Sequence, residues 1–277
     1  MVQRRRLITA VVYVLIITTL AFLLFPLYWM LVTALRPGNE LLSYPPAFIP
    51  WDATLDAFRH VLRDTLIFRW FWNSTVVTVA TMVLAVPISA LAGYAMSRFR
   101  YTGVRETGYL LLVARMLPAS LLIIPLYFIF VRMGLINNYL ALVIANTTFI
   151  VPFGAWMLKG FFDSIPRELE DAAMIDGASA MGALVRVVLP LSLPGLAATT
   201  IYCAILTWGE FVFAATLISG ESRWTGPIGI ASFIQQYLIQ WSEIMAASLV
   251  FVVPVIVFFA FLERYLVQGL AAGGVKG

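Results

Sequence analysis

Lys159-Gly-Phe-Phe-Asp-Ser-Ile-Pro-Arg-Glu-Leu-Glu-Asp-Ala-Ala-Met-Ile-Asp-Gly-Ala-Ser-Ala-Met-Gly-Ala-Leu-Val-Arg-Val-Val-Leu-Pro190 is a polar interlude between two long apolar runs. The chain has 14 carboxylates, and Asp163, Glu168, Glu170, Asp171 and Asp176 all fall within it. Pro166 fits the first turn of a helix, where its missing N–H costs nothing. Glu168, Glu170 and Asp171 favour the positive end of that helix. Gly177 is a stop at the other end. Ser179 can cap a second helix over residues 180–188, which Pro190 ends. The reading is two short helices with a tight bend, outside the bilayer. The first ends in a small face, Ala172 and Ala173, flanked by Leu169 and Met174. Small residues let a helix backbone approach a partner's groove closely. A surface helix without a partner can have the same composition, and spacing leaves both readings open.

Working outward, the flanks are too apolar for a soluble protein. Of 277 residues, 62% are hydrophobic and 12% charged, against about 45–50% and about 25% in ordinary soluble domains. The mean hydropathy is +0.94. Six runs can each cross the hydrocarbon as a helix, which takes ~20 residues: about 7–35, 71–96, 109–133, 139–158, 193–218 and 244–267. None alternates like a barrel strand. The fold class is therefore an all-α, polytopic membrane protein with six transmembrane helices. The run after Arg4, Arg5 and Arg6 is longer than the ~7–15 residues of a signal peptide core and lacks an A-x-A site, so it reads as a retained anchor. With the N-terminus in the cytoplasm, 11 Lys and Arg residues lie inside and six outside, in keeping with the positive-inside rule. Arg98, Arg100 and Arg105 cluster in the short loop after the second run. Six spans return the C-terminus to the cytoplasm.

Other chemistries find little support. One cysteine, Cys203, and one histidine, His60, argue against a disulfide scaffold and a zinc site. A net charge of +4 with no basic, aromatic-rich block argues against nucleic-acid binding. A membrane-embedded enzyme would need a cluster of catalytic groups, for which a lone histidine in an outer loop is a poor start. Outside, residues 53–66 read as a small surface helix that Asp52 could cap. Residues 219–243 read as a loop with a short re-entrant or interfacial helix. Arg115 and Glu210 are the ionisable groups at membrane depth, where charge is costly and points to function. Trp208 lies beside Glu210 and could stack on a bound solute while Glu210 accepts hydrogen bonds from it. Glu210 could equally bond to a sister subunit. Asn146, Thr147 and Thr148 form a polar step in the fourth span, and packing or a substrate pathway would each account for it.

The interlude resembles the EAA motif of ABC importer permeases, E-A-A, three residues, G, nine residues, I-x-L-P. Here it runs Asp171-Ala172-Ala173, three residues, Gly177, nine residues, Val187-Val188-Leu189-Pro190. Asp171 stands for Glu and Val187 for Ile. The flanking Pro166-Arg-Glu-Leu-Glu170 and Ile175-Asp-Gly-Ala-Ser179 are similar to the carbohydrate branch of that family. So are Phe25-Pro26-Leu27-Tyr28-Trp29-Met30, Gly93-Tyr94-Ala95-Met96-Ser97-Arg98-Phe99 and Trp208-Gly209-Glu210-Phe211. The tail Gly269-Leu-Ala-Ala-Gly-Gly-Val-Lys-Gly277 resembles the maltose-transporter-type subunit that ends in a glycine-rich tail.

That resemblance implies a type I importer transmembrane domain over residues 1–277, with a cytoplasmic coupling loop at 159–192 and a tail at 268–277. It implies a second permease as heterodimer partner, an ATPase dimer and an extracytoplasmic sugar-binding protein, in the inner membrane of a bacterial or archaeal cell. ATP hydrolysis would belong to the partner, with no cofactor on this chain, which has no G-x-x-x-x-G-K-[ST]. Glu170, Asp171, Ala172, Ala173, Met174, Gly177, Leu189 and Pro190 are the implied ATPase-coupling residues. Gly274 and Lys276 are implied to reach the ATPases. Asn146, Thr147, Trp208 and Glu210 are the candidate pathway residues, although in this family the sugar contacts mainly the other permease. The alternative is a stand-alone secondary transporter. That class needs internal repeats and intramembrane carboxylates, and this chain shows one such carboxylate and no obvious repeat.

Overall fold

The computed structural model describes residues 2–38, 44, 48–100, 102–116, 118–235 and 239–273, with side chains for all of these except 2–5, 7, 105, 115 and 262–273. Among the described residues the regular structure is helical, apart from one isolated bridge between Ile234 and Ile239. Four stretches are long and apolar enough to cross a membrane unbroken: Ile8–Leu35, Ile67–Arg98, Tyr139–Asp163 and Trp241–Phe261. Two bent pairs supply the others, Glu106–Ala114 with Ala119–Arg132 at 92°, and Ala180–Leu191 with Leu193–Trp208 at 82°. With each pair counted as one span there are six.

The breaks fall where hydropathy gives no warning. The third run is two helices, α4 (Val104–Arg115) and α5 (Ala119–Arg132). Pro118 precedes α5 in extended backbone, with φ −63° and ψ 131°. The fifth run leaves the helix after Trp208 and resumes as α11 (Val212–Leu217). Pro190 does not end its helix. α8 (Ala180–Ala183) passes into a π-turn over Leu184–Val188 and then α9 (Leu189–Leu191). A wider turn just before a proline suits a residue that cannot donate to the preceding carbonyl ladder. The chain bends at Ser192, and α10 (Leu193–Trp208) starts with Pro194 in its first turn.

Other limits shift by a few residues. α6 (Tyr139–Asp163) runs past 158, so Lys159 belongs to a helix and not to the loop. Its Nζ lies 2.5 Å from Asp163 Oδ2, one turn on, and Phe162 is fully buried. α7 (Glu168–Ile175) begins two residues after Pro166. α2 (Asp56–Arg63) has Leu55 at its N-cap, so Asp52 does not cap it. α13 (Trp241–Gly273) continues six residues beyond 267, and the tail therefore starts as helix. Gly274 and Lys276 lie outside the described residues.

The contacts divide the chain into two units, residues 1–67 with 230–253, and residues 68–229 with 254–277. In the first, α1 (Val2–Leu35) is exposed at every described side chain from Ile8 to Tyr28, as expected of a helix solvated by lipid or by another subunit. Near its end Tyr28 Oη donates to Phe48 O at 2.6 Å, and the Trp29 and Phe48 rings lie 5.5 Å apart. Ser242 Oγ donates to Arg36 O at 3.0 Å. His60 lies 3.9 Å from Glu243, and its ring edges Phe233.

In the second unit, small residues bring helices close. A Cβ on Gly93 of α3 (Ile67–Arg98) would meet Ala155 O of α6 at 2.8 Å. One on Gly154 would meet Ser89 Oγ at 2.6 Å. Such contacts hold membrane helices together by dispersion, because lipid leaves little hydrophobic driving force between them. Ala90, Tyr94, Leu158, Phe162, Ile165, Leu184 and Val188 form one buried cluster. It joins α3 and α6 to the polar interlude.

Candidate functional site

α7 has two unlike faces. Glu170 points inward and is 4% exposed. Tyr94 Oη donates to its Oε2 at 2.9 Å, and Arg98 Nε donates to its Oε1. Arg98 also donates through Nη2 to Ile165 O and through Nη1 to Ser97 Oγ, both at 3.1 Å. Ser97 Oγ donates to Asp163 Oδ1 at 2.6 Å, and Arg167 Nη2 to Ser97 O at 2.8 Å. The Tyr94 ring meets Phe162 and Phe99 edge-on, at 6.3 and 6.1 Å. The end of α3 thus grips α7 and the residues before it through a charged, mostly buried network.

The rest of the helix surface is largely open, with Ala172 and Ile175 turned away from Glu170 and Met174 one turn on from it on the same face. Asp171 and Ala172 are exposed and Ala173 is half-buried. Leu169 and Met174 are exposed, and Ile175 is 87% exposed. Gly177 closes the helix at φ 89°. Its N–H donates to Met174 O at 3.1 Å and that of Ala178 to Ala173 O at 2.9 Å, the paired bonds of a Schellman stop. Ser179 Oγ accepts from Gly182 N at 3.1 Å and caps α8 as its spacing suggests. Leu189 packs against the buried cluster, and Pro190 is exposed.

The expected coupling set therefore divides. Asp171, Ala172, Ala173, Met174 and Gly177 lie on the free helix and its turn. Glu170 lies apart from them, held by a counter-charge inside the chain. Tyr94, Ser97 and Arg98 were missed as site residues. The available signal was a cation ending the second span and an acidic residue opening the next polar helix, though 72 residues separate them.

The pathway set is not brought together. Glu210 sits in the gap between α10 and α11, where its carboxylate accepts from Phe213 N at 2.6 Å and Ala214 N at 3.0 Å. It caps α11, so the break in the fifth span satisfies the carboxylate locally. Asn146 is buried and donates back to Leu142 O at 2.9 Å. Thr147 is buried, and Thr148 donates to Ile144 O at 2.9 Å. Trp208 lines a cavity of about 140 Å³ with Thr75, Met82, Ile205, Pro254 and Phe258. Thr75 Oγ1 bonds its own helix at Phe71 O, whereas Thr78, also in the lining, has a buried Oγ1 with no hydrogen-bond partner among the described residues.

The other end of α3 carries a second set of side-chain pins. Trp70 Nε1 donates to Glu221 O at 3.0 Å, and Asn73 Nδ2 to Ser222 O and Trp224 O at 3.1 and 2.7 Å. Ser74 Oγ accepts from Gly226 N at 2.9 Å. Gly229 of α12 (Gly226–Ala231) lies so close to the Trp70 ring that no side chain fits there. Among the described residues no group of three or more His, Cys, Asp or Glu could hold a metal ion.

Residues 85–272 match the family model "Binding-protein-dependent transport system inner membrane component". The chain is 35% identical to the inner membrane ABC transporter permease protein YcjP of Escherichia coli over 92% of its length and 91% of YcjP. It is 33% identical to the diacetylchitobiose uptake system permease protein DasC of Streptomyces coelicolor, over 92% of each chain. A chain of a bacterial ABC transporter involved in the import of the acidic polysaccharide alginate superposes with a TM-score of 0.78 at 23% identity, over 94% of this chain and 96% of that one.

Proposed function

The chain belongs to the family of binding-protein-dependent transport system inner membrane components, and from that premise we propose that it is the permease subunit of a carbohydrate importer. The family makes it a transport subunit whose ATPase is a separate chain, and this sets aside the stand-alone secondary transporter. The carbohydrate class draws support from DasC and the alginate importer. In this reading the chain acts as one transmembrane domain that pairs with a second permease. An ATPase dimer docks on the cytoplasmic side, and an extracytoplasmic binding protein delivers the sugar. Both termini are cytoplasmic, and the tail with Gly274 and Lys276 extends toward the ATPases.

One observation carries the coupling role. α7 leaves Leu169, Ala172 and Ile175 bare on a polar loop, while Glu170 fastens it from the side turned away from Ala172 and Ile175. Exposed apolar residues on a short fixed helix suit insertion into a groove. Ala172 and Ala173 let the backbone approach, and Asp171 sits at the rim. Glu210, Asn146 and Thr147 serve the bundle: Glu210 accepts from the first turn of α11, Asn146 donates to its own helix, and Thr147 is buried.

Purification of the tagged chain in mild detergent from its native host tests the assembly. A second permease and an ATPase are expected with it. Ala172→Arg places a long charged side chain on the docking face, and ATPase recovery is expected to fall about tenfold or more while membrane insertion stays normal. Undiminished recovery would remove the docking face.

A further inference from the structure

Arg98 and Glu170 form an ion pair between side chains that are only 9% and 5% exposed. A buried pair is a weak source of stability, because desolvation offsets the attraction. A fully hydrogen-bonded network nonetheless fixes one geometry. Glu170 takes Tyr94 on one oxygen and Arg98 on the other, and Arg98 donates two further bonds, to Ile165 O and Ser97 Oγ. The other ion pair nearby, Lys159 with Asp163, is far more open to solvent and lies within one helix.

Position adds the rest of the argument. The pair joins the last residue of α3 to the first turn of α7. α3 has 32 residues and so runs about 48 Å, ending at the Trp70, Asn73 and Ser74 pins. A helix pushed on one face moves a span only if its other face does not slip. Resting on the reading of α7 as the ATPase contact, we propose that Tyr94, Arg98 and Glu170 are a clamp that makes α7 and α3 move as one body. They are positioning residues for coupling, and none touches the ATPase.

The test uses the assembled importer with its ATPases. Spin labels go on Glu168→Cys of α7 and Val83→Cys of α3, both exposed, with the buried Cys203 replaced by alanine. The distance distribution between the labels is measured by pulsed electron paramagnetic resonance, without nucleotide and with AMP-PNP. With the clamp intact, one narrow distribution is expected in both conditions. Arg98→Met and Glu170→Gln should each give a nucleotide-dependent shift larger than the width of the intact distribution. Arg98→Lys should remove most of that shift. The Arg98→Met/Glu170→Met double variant, which leaves no buried charge unpaired, should regain assembly yet keep the shift, whereas a pair that only adds stability would regain both. Distributions that ignore nucleotide in assembled Arg98→Met or in the double variant overturn the clamp. If no charge variant assembles, Tyr94→Phe decides: a smaller shift supports the clamp, and none overturns it. Failure of the underlying reading is a separate result, since it shows earlier as Ala172→Arg chains that keep their ATPases.

Discussion

The two ends of α3 hold their loops by different chemistry. At the Trp70 end, three neutral side chains bond to backbone, at Glu221, Ser222, Trp224 and Gly226. At the Arg98 end, the bonds run mainly between side chains and carry charge: Tyr94 and Arg98 to Glu170, Ser97 to Asp163. Neutral bonds to backbone satisfy an irregular segment and set its path. A charged contact holds a whole helix at one spot and leaves its far side free. The loop held by neutral pins buries Gly226, Gly229 and Thr225. The helix held by charge exposes Leu169, Met174 and Ile175. The first arrangement completes a fold, and the second presents a surface.

Gly177→Pro should break the charged end most completely. Proline cannot adopt φ 89° and has no N–H for Met174 O, so the stop of α7 is lost and the turn to Ser179 with it. The change costs about 3 kcal/mol or more locally. The core clusters are untouched, so the chain should still insert. ATPase recovery is expected to fall at least as far as with Ala172→Arg. Normal recovery would mean that docking does not need the end of α7 to be placed.

Asn73→Ala acts at the other end and should leave the opposite signature. It removes two bonds and strands the Ser222 and Trp224 carbonyls, at about 1–3 kcal/mol. The melting temperature of the purified complex should drop, while ATPase recovered per folded chain stays constant. A matching fall in ATPase recovery would erase the distinction between the two ends.

The sequence carries one end of this comparison better than the other. Gly177, Ser179 and the small face of α7 were legible because caps and stops act within four residues. Four spans were legible because lipid demands long apolar helices. Pro118 and Pro194 mark where a helix can bend, though not by how much, and the gap at Gly209–Phe211 was not legible. Hydropathy sums apolar content and does not sense a change of direction inside a run. The setting of Glu210 was hidden for the same cause: once the helix breaks beside it, a membrane carboxylate accepts from the first turn of α11. The Arg98–Glu170 pair was hidden by distance along the chain, since no local spacing rule links residues 72 apart. Glu170 therefore read as part of the partner-facing set.

Ser179→Ala separates chemistry from location, because it removes a neutral bond to backbone at the charged end. Its hydroxyl accepts from Gly182 N at 3.1 Å and caps α8. Loss of a serine cap costs about 1 kcal/mol. α7 keeps its own stop at Gly177 and its hold on Arg98, neither of which involves this hydroxyl. If the placing of α7 depends on those two features, the melting temperature should fall slightly while ATPase recovery stays within roughly twofold, since losing a neutral cap leaves no charge unpaired. A fall in recovery approaching that of Gly177→Pro would mean that α7 and α8 are placed as one turn. The Arg98 end would then owe its role to where it sits, and the charge of its contacts would be incidental.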